Sequence, residues 1–422
     1  MPGSLDRRDF LRVGATGLAA GLAAEALAQG AAPLRLAVIG TGGRGTGLLQ
    51  VALTFPGLEV PALCDIHEGR LNNAIAVVRA ARGSDPAGYS RGPLDYRRLL
   101  ERDDVDAVLI ATPMQLHGRM AIDALRAGKH VLSEVAAAMT IEECWGLVRA
   151  ERASGKTYMM AENCCYYAQN LAVRNMAEAG AFGEFTYAEC GYVHDCRSLA
   201  FEADGSLTWR GELGRDHPGN VYPTHSLGPV AQWLGINRTD RFVSLTAAAT
   251  RTGSLQRHAA QRFGGDSPQA RMEFALADSN SALIRTEKGV VIDLRFDMYS
   301  ARPHPSTTYY TLQGLTGSYA DTGRQQEVWL EGRSPRYEWE PLAPYAAEYQ
   351  HDLWRQHGAE ASQSGHGGAD YFVIQQFLEA VRAGKPSPIP AADAAGWSCI
   401  IPLSAASIRA GGAPQEVPDF TA

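Results

Sequence analysis

The chain lacks any run of about 20 strongly apolar residues, so no membrane-spanning helix is expected. It lacks a basic stripe: its 422 residues carry a formal charge of −7, which argues against nucleic acid, whose phosphates need a concentrated positive face. It lacks any C-x-x-C pair. The seven cysteines, at 64, 144, 164, 165, 190, 196 and 399, are odd in number and unpatterned, so neither a metal site nor a disulfide framework is expected. Internal repeats are absent too. What remains is 45% hydrophobic and long enough for one large or two ordinary globular domains.

Residues 34–45, LRLAVIGTGGRG, run from an apolar strand into a glycine-rich turn. A lone G-x-G-x-x-G is a weak signal. Here it follows a strand, opens a helix, and is followed by the acid Asp65, 20 residues past Gly45. Gly40 permits the tight turn, Gly42 lets the backbone approach a pyrophosphate, and Gly45 lets helix and strand pack closely. The helix N-terminus offers unpaired N–H groups to the phosphates. Asp65 would bond ribose hydroxyls and repel a 2′-phosphate, which favours NAD over NADP.

Strands at 58–64, 105–111 (VDAVLIA), 130–134 (HVLSE) and 157–163 alternate with helical stretches, one of them at about 140–154. Segment 79–98 reads as polar and Gly/Pro-containing. The pattern predicts a doubly wound parallel sheet over residues 33–163, a Rossmann-type NAD-binding domain. From 164 to 422 the texture changes. After a helix at about 168–179, alternating runs at 185–194, 241–250, 281–298 and 309–321 predict an α+β domain with an open, mainly antiparallel sheet. Glu287-Lys288-Gly289 reads as a hairpin turn. Residues 322–368 look irregular, and a helix at about 369–383 is expected to pack back on the first domain.

Residues 1–28 read as an address rather than as fold. Arg7-Arg8 lies in a twin-arginine core followed by Phe10-Leu11, a Gly/Ala-rich run and the small-residue site Ala26-Leu27-Ala28. Export by the twin-arginine machinery, to the periplasm or beyond, is expected. That route carries folded proteins, so a cytoplasmic cofactor can travel inside.

Met114, Gln115, Leu116 and His117 follow the third strand and read as cofactor-contacting, although a histidine opening a helix is often only a cap. Glu134 faces the same crevice or forms a structural salt bridge. Asn163 can bond the cofactor amide or ribose, and Glu162 reads equally as a catalytic or a buried structural carboxylate. The strongest cluster comes later: Tyr192 at a strand end, Trp209-Arg210 in a loop, and Tyr222-Pro223-Thr224-His225 at a helix start, with Tyr222 and His225 spaced to share a face. Tyrosines, a histidine and an arginine offer acid–base chemistry over a wide pH range. An aromatic-capped helix with a satisfied histidine is the plain alternative. His366, in the flexible turn 365–368, is a further candidate to reach the site.

The motifs SEVAAAMTIEECW (133–145), AENCCYY (161–167), ECGYVHD (189–195), LTWRGELGRDHPGNVYPTHSLGP (207–229), GHGGADYF (365–372) and QEVPDF (415–420) resemble glycoside hydrolase family 109. These are NAD-dependent α-N-acetylgalactosaminidases within the Gfo/Idh/MocA oxidoreductase superfamily. The resemblance covers essentially the whole mature chain. It implies NAD contacts at Gly43, Arg44, Asp65, Met114 to His117, Glu134, Val135 and Asn163. It implies substrate contacts at Tyr192, Arg210, Tyr222 and His225, with Tyr192, Tyr222 and His225 as the acid–base set, His225 at sugar C3 and Tyr192 at C2. Dehydrogenases of the glucose–fructose oxidoreductase type carry Glu-Lys-Pro where this chain reads Glu134-Val135-Ala136, and their lysine handles the proton of the alcohol being oxidised. Its loss fits the cycle the resemblance implies: oxidation at C3, loss of the C2 proton, elimination of the C1 substituent, addition of water, and reduction. NAD is then tightly bound and recycled at each turnover.

Two departures bear on the sugar. Relatives have Arg-Pro-Tyr where this chain reads Arg302-Pro303-His304, and the segment between His194 and Trp209 is short. A periplasmic NAD-dependent sugar dehydrogenase and a non-catalytic NAD- or sugar-binding protein are the competing readings. The partner expected is a small glycoside or glycan terminus. The open sheet leads us to expect a homo-oligomer; light scattering of the purified protein should give a mass well above the 45.4 kDa of one chain.

Overall fold

A computed structural model describes residues 32–303 and 307–422. The twin-arginine segment and His304 lie outside the described residues. Strand β1 (Leu34–Ile39) is buried at five of its six positions, as befits an interior strand of a parallel sheet covered on both faces. Helix α1 (Gly43–Ala52) follows, then β2 (Leu58–Glu59), β3 (Ala62–Cys64), α2 (Glu68–Arg82), β4 (Ala87–Tyr89), α3 (Tyr96–Leu100), β5 (Ala107–Ile110), α4 (His117–Arg126), β6 (His130–Ser133), α5 (Ile141–Ser154) and β7 (Tyr158–Met160). The sheet runs β4–β3–β1–β5–β6–β7, all parallel, with β2 also on β1. Strand order reverses between β1 and β5, and such a switch point opens a crevice at the carboxyl ends of the strands. The polar segment 79–98 proves to hold the end of α2, the edge strand β4 and α3. A three-residue edge strand centred on Gly88 carries too little alternation to be read from sequence.

The glycine turn is built as expected. Gly40 has φ of 90°, and a Cβ there would sit 2.7 Å from the Ala111 carbonyl carbon. A Cβ on Gly45 would lie 1.9 Å from the Gly40 carbonyl oxygen, so helix and strand meet with no room for a side chain.

The second domain begins with α6 (Ala168–Glu178) and β8 (Phe185–Val193), followed by α7 (Trp209–Asp216), α8 (Thr224–Trp233), β9 (Phe242–Ala249), α9 (Ser254–Phe263), β10 (Ser279–Thr286), β11 (Val291–Asp297), β12 (Thr308–Gly314), β13 (Gly317–Asp321), β14 (Gln326–Leu330) and β15 (Glu340–Pro341). With β16 (Gln415–Glu416) these form a nine-stranded sheet in the order β15–β14–β13–β12–β8–β11–β10–β9–β16. Strands β8 and β11 pair in parallel and the other pairs are antiparallel. The β10–β11 hairpin turns at Gly289, where φ is 91°. Helix α8 packs on β8 and β12.

Two local expectations are corrected. Trp209-Arg210 is not in a loop but opens α7, whose N-terminus is capped by the Thr208 hydroxyl accepting the Gly211 N–H at 3.2 Å. Glycines 211 and 214 lower helix propensity and hide this short helix. Residues 322–368 are also more regular than their composition indicates: they contain β14, β15, α10 (Leu342–Glu348) and α11 (Asp352–Ala361).

Helices α12 (Ala369–Ala383), α13 (Ala391–Ser398) and α14 (Ile400–Arg409) complete the chain. Helix α12 packs on α1, with the Phe55 and Tyr371 rings 4.8 Å apart, and α13 lies on α5. The stretch Ala391–Arg409 is, by length and composition, apolar enough to cross a membrane, contrary to the sequence reading, but 72% of it is buried inside the protein. All seven cysteines are buried free thiols.

The turn generates a stability test. Gly45→Ala should lower stability by about 3 kcal/mol through backbone overlap. Gly47→Ala, in the same helix with no atom within 4 Å of the new Cβ, should raise it by about 0.5–1 kcal/mol. Thermal unfolding of both variants checks the pair.

Candidate functional site

The crevice at the carboxyl ends of the parallel strands carries the predicted cofactor residues. Among the described residues no side chain caps α1, which leaves its first-turn N–H groups open to an anion. Asp65, at the end of β3, accepts the Thr41 N–H and the His67 N–H, each at 2.8 Å, which ties the glycine turn to the neighbouring strand. Among the described residues, Asn163 Oδ1 and Gln115 Oε1 are buried without a hydrogen-bond partner. An amide- and hydroxyl-bearing ligand such as NAD would satisfy such atoms, and with the open helix end and Asp65 this set fits the cofactor.

Three of the expected contact residues also make contacts within the protein. The His117 ring is spent internally: Nδ1 is 3.0 Å from the Ala136 carbonyl oxygen and Nε2 is 2.8 Å from that of Thr112. Both ring nitrogens thus face backbone carbonyls, and burial pushes the pKa of the ring down although those contacts oppose the shift. The Met114 side chain is packed in a core cluster with Ala136 and Met298, which leaves Gln115 and Leu116 as the partly exposed members of that segment. Glu134 takes the salt-bridge option, its Oε1 accepting from Arg44 Nε at 2.7 Å. The Val135–Ala136 peptide that follows is cis.

On the opposite wall the acid–base residues form one cluster. Tyr192, on β8, lies with its ring centroid 5.1 Å from that of Tyr222 and 5.7 Å from that of His225. Tyr222 and His225 are 4.9 Å apart, the shared face that their spacing predicts. The Tyr192 hydroxyl is hydrogen-bonded to His194 Nδ1 at 2.9 Å. Burial raises the pKa of both tyrosines, and the nearby Arg210 charge works against that rise. Arg210 itself stacks 4.2 Å from the Trp209 ring centroid. The Gln115 Nε2 donates to the Trp209 carbonyl at 3.2 Å and so joins the two walls. Pro223 precedes α8 and its carbonyl accepts the Leu227 N–H at 2.9 Å, while Thr224 is wholly buried.

His225 Nδ1 donates to Glu162 Oε1 at 2.7 Å, and the same oxygen accepts the Cys164 N–H at 3.1 Å. Glu162 is fully buried at the end of β7. Burial favours its neutral form, but the His225 charge and hydrogen bond outweigh burial and lower its pKa. Burial likewise works to lower the pKa of His225, yet Cys164 and Glu162 hold it well above its ordinary value. Burial raises the Cys164 thiol's own pKa, so the thiol is neutral near pH 7 and the operative charge is that of Glu162.

Sequence reasoning did not assign a role to Cys164, His194 or Asp370, although each lies inside a motif it quoted; only their packing shows their partners. Against the expectation of no metal site, ligand atoms of Glu162, Cys164 and His225 fall within 4.8 Å of one another. Two ligands about 2.0 Å from a tetrahedral zinc would stand about 3.3 Å apart. The 2.7 Å Nδ1–Oε1 contact is shorter than that separation and is a hydrogen bond.

This pairing has a readable pH signature. Replacing the carboxylate in Glu162→Gln should let His225 titrate at a lower pH than in the wild type, followed by NMR of protein labelled with ¹⁵N-histidine. An unchanged titration would show that Glu162 does not set the charge of His225.

Comparison with known proteins agrees with this geometry. Residues 34–162 match an oxidoreductase family with an NAD-binding Rossmann fold, and residues 166–422 match the glycosyl hydrolase 109 C-terminal domain. A glycosyl hydrolase family 109 protein of Solibacter usitatus is 37% identical over 98% of this chain and 97% of its own. An alpha-N-acetylgalactosaminidase of Bacteroides fragilis is 39% identical over 92% of each chain, and one of Tannerella forsythia is 34% identical over 92% of this chain and 86% of its own. Among solved structures, levoglucosan dehydrogenase in complex with NADH and L-sorbose shares the fold, with a TM-score of 0.70 at 21% identity over 92% of this chain and 100% of that one. A Rossmann half joined to this acid–base wall, matched along nearly its whole length, makes the chain a member of glycosyl hydrolase family 109.

Proposed function

We propose that the chain cleaves terminal α-N-acetylgalactosaminides by an NAD-dependent oxidation–elimination–addition–reduction cycle. The observation that carries this reading is the His225–Glu162 pair beside Tyr192 on one wall of a crevice whose other wall fits a dinucleotide. NAD, when bound, supplies a hydride acceptor and donor at sugar C3 and leaves the cycle unchanged.

Glu162 orients the His225 ring and makes it a stronger base. His225 takes the proton of the C3 hydroxyl as C3 becomes a carbonyl and returns it when the hydroxyl is restored. The carbonyl acidifies the neighbouring C2 proton, which Tyr192 removes as its own proton passes to His194. The C1 substituent leaves, water adds its hydroxyl at C1 while its proton goes to the departing oxygen, Tyr192 returns a proton to C2 and His194 returns one to Tyr192, which completes a hydrolysis with no net redox. Arg210 and Tyr222 orient the sugar between the two proton-handling groups. The missing lysine supports this assignment, because an alcohol dehydrogenase of this fold needs that group and here His225 takes its place. Substituting Tyr192→Phe or His225→Ala should lower turnover about 10²–10⁴-fold while sugar binding survives.

The test is turnover of p-nitrophenyl α-N-acetylgalactosaminide without added NAD in deuterated water. The expected result is release of p-nitrophenol, deuterium at sugar C2 and no net NADH. NADH accumulating with free sugars, and no aglycone released, would make the protein a sugar dehydrogenase instead. A further expectation concerns pH. Because the pKa of His225 is raised, its neutral, base form is depleted as pH falls, so kcat/KM should drop on the acid side. Glu162→Gln should move that acid limb to lower pH while reducing the maximal rate.

A further inference from the structure

We propose that Asp370 clasps Arg44 across the crevice and so retains the dinucleotide, a positioning role outside the proton-handling set. This rests on the NAD reading above. Four segments far apart in sequence meet at one guanidinium. Arg44 leaves the glycine turn after β1, and its terminal nitrogens donate to both oxygens of Asp370, at 2.6 and 2.9 Å. Its Nε is on Glu134, just past β6, at 2.7 Å. Asn163, which follows β7, donates from Nδ2 to Asp370 Oδ1 at 3.5 Å. His366 Nδ1 lies 2.9 Å from Asp370 Oδ2 and 3.1 Å from Arg44 Nη1.

Three of these residues, Arg44, Glu134 and Asn163, are predicted cofactor contacts, and Asp370, with His366 beside it, reaches this set from the second domain. Strand β5 lies between β1 and β6 in the sheet, so the network reaches across the carboxyl ends where a dinucleotide lies in this fold. The side chains of Glu134 and Asp370 are only 9% and 5% exposed. With two buried carboxylates on it, Arg44 is more than neutralised. It serves better as a strut across the crevice than as a free cation for the phosphates. A forked arginine–carboxylate contact is directional, and a buried one is costly to leave half-made. Opening it therefore belongs to the barrier for cofactor release.

The approach to Asp370 is braced. His366, Gly367 and Gly368 have φ of 51°, 61° and 97°, a left-handed run that delivers the carboxylate at the start of α12. A Cβ on Gly368 would lie 2.8 Å from the Trp354 ring, and Trp354 Nε1 in turn donates to the Tyr166 carbonyl at 2.8 Å.

The experiment uses the purified holoenzyme. NAD content is measured after denaturation, and the release rate is followed by exchange against fluorescent 1,N6-etheno-NAD. Wild type should hold its NAD through dialysis. Asp370→Asn should release it roughly tenfold faster. Arg44→Gln should do the same, and the double variant should be no faster than either single one. Asp370→Glu, which keeps the charge, should recover slow release, and the melting temperature of each apo-protein controls for misfolding. Release from Asp370→Asn at the wild-type rate, or effects that multiply in the double variant, would overturn the clasp. Wild type that neither carries nor takes up NAD would overturn the cofactor reading, and the clasp with it.

Discussion

A buried carboxylate meeting a histidine across the junction of two sheets is the contact on which the rest of the site depends. Glu162 comes from the last strand of the parallel sheet and His225 from the first turn of a helix laid on the mixed sheet. Neither is stable in its charge state alone: an isolated buried carboxylate would take up a proton, and an isolated buried imidazole would lose one. Together at 2.7 Å they hold opposite charges and tie the end of the parallel sheet to the helix on the mixed sheet. The Tyr310 hydroxyl donates to the His225 carbonyl at 2.7 Å, so the backbone of that turn is pinned from the sheet as well. The tilted rings of Tyr192 and Tyr222 lie beside this pair.

Much of this was legible before any coordinates. The glycine turn, Asp65 and the strand spacing follow from local rules, because a tight strand-to-helix turn admits few residue types. Tyr222 and His225 were predicted to share a face, and they do, although the helix itself begins only at Thr224. What sequence could not show were pairings over long separations. Nothing local tells that His117 is consumed by two backbone carbonyls, or that Asp370 meets a guanidinium 326 positions earlier in the chain. Trp209-Arg210 was misplaced for another reason. The Thr208 cap starts a helix that the glycines within it disguise.

The two walls of the crevice handle charge differently. On the acid–base wall, the pair at His225 leaves one ring nitrogen to exchange a proton, and neutral phenols surround it. On the cofactor wall, Arg44 is fully engaged and no proton is at stake. Burial alone would suppress charge in both places, yet both keep it through short, directed hydrogen bonds. One arrangement suits chemistry that must move a proton reversibly, and the other suits a part that should stay still.

The return of the last helices to the first domain bears on the order of events during synthesis. Helix α12 covers α1, and α13 covers α5, so the nucleotide-binding half buries its apolar surface only after the C-terminal segment has left the ribosome. A chain cut short anywhere before residue 369 would expose the outer faces of its own N-terminal helices. The last eighth of the chain thus covers helices of its first third.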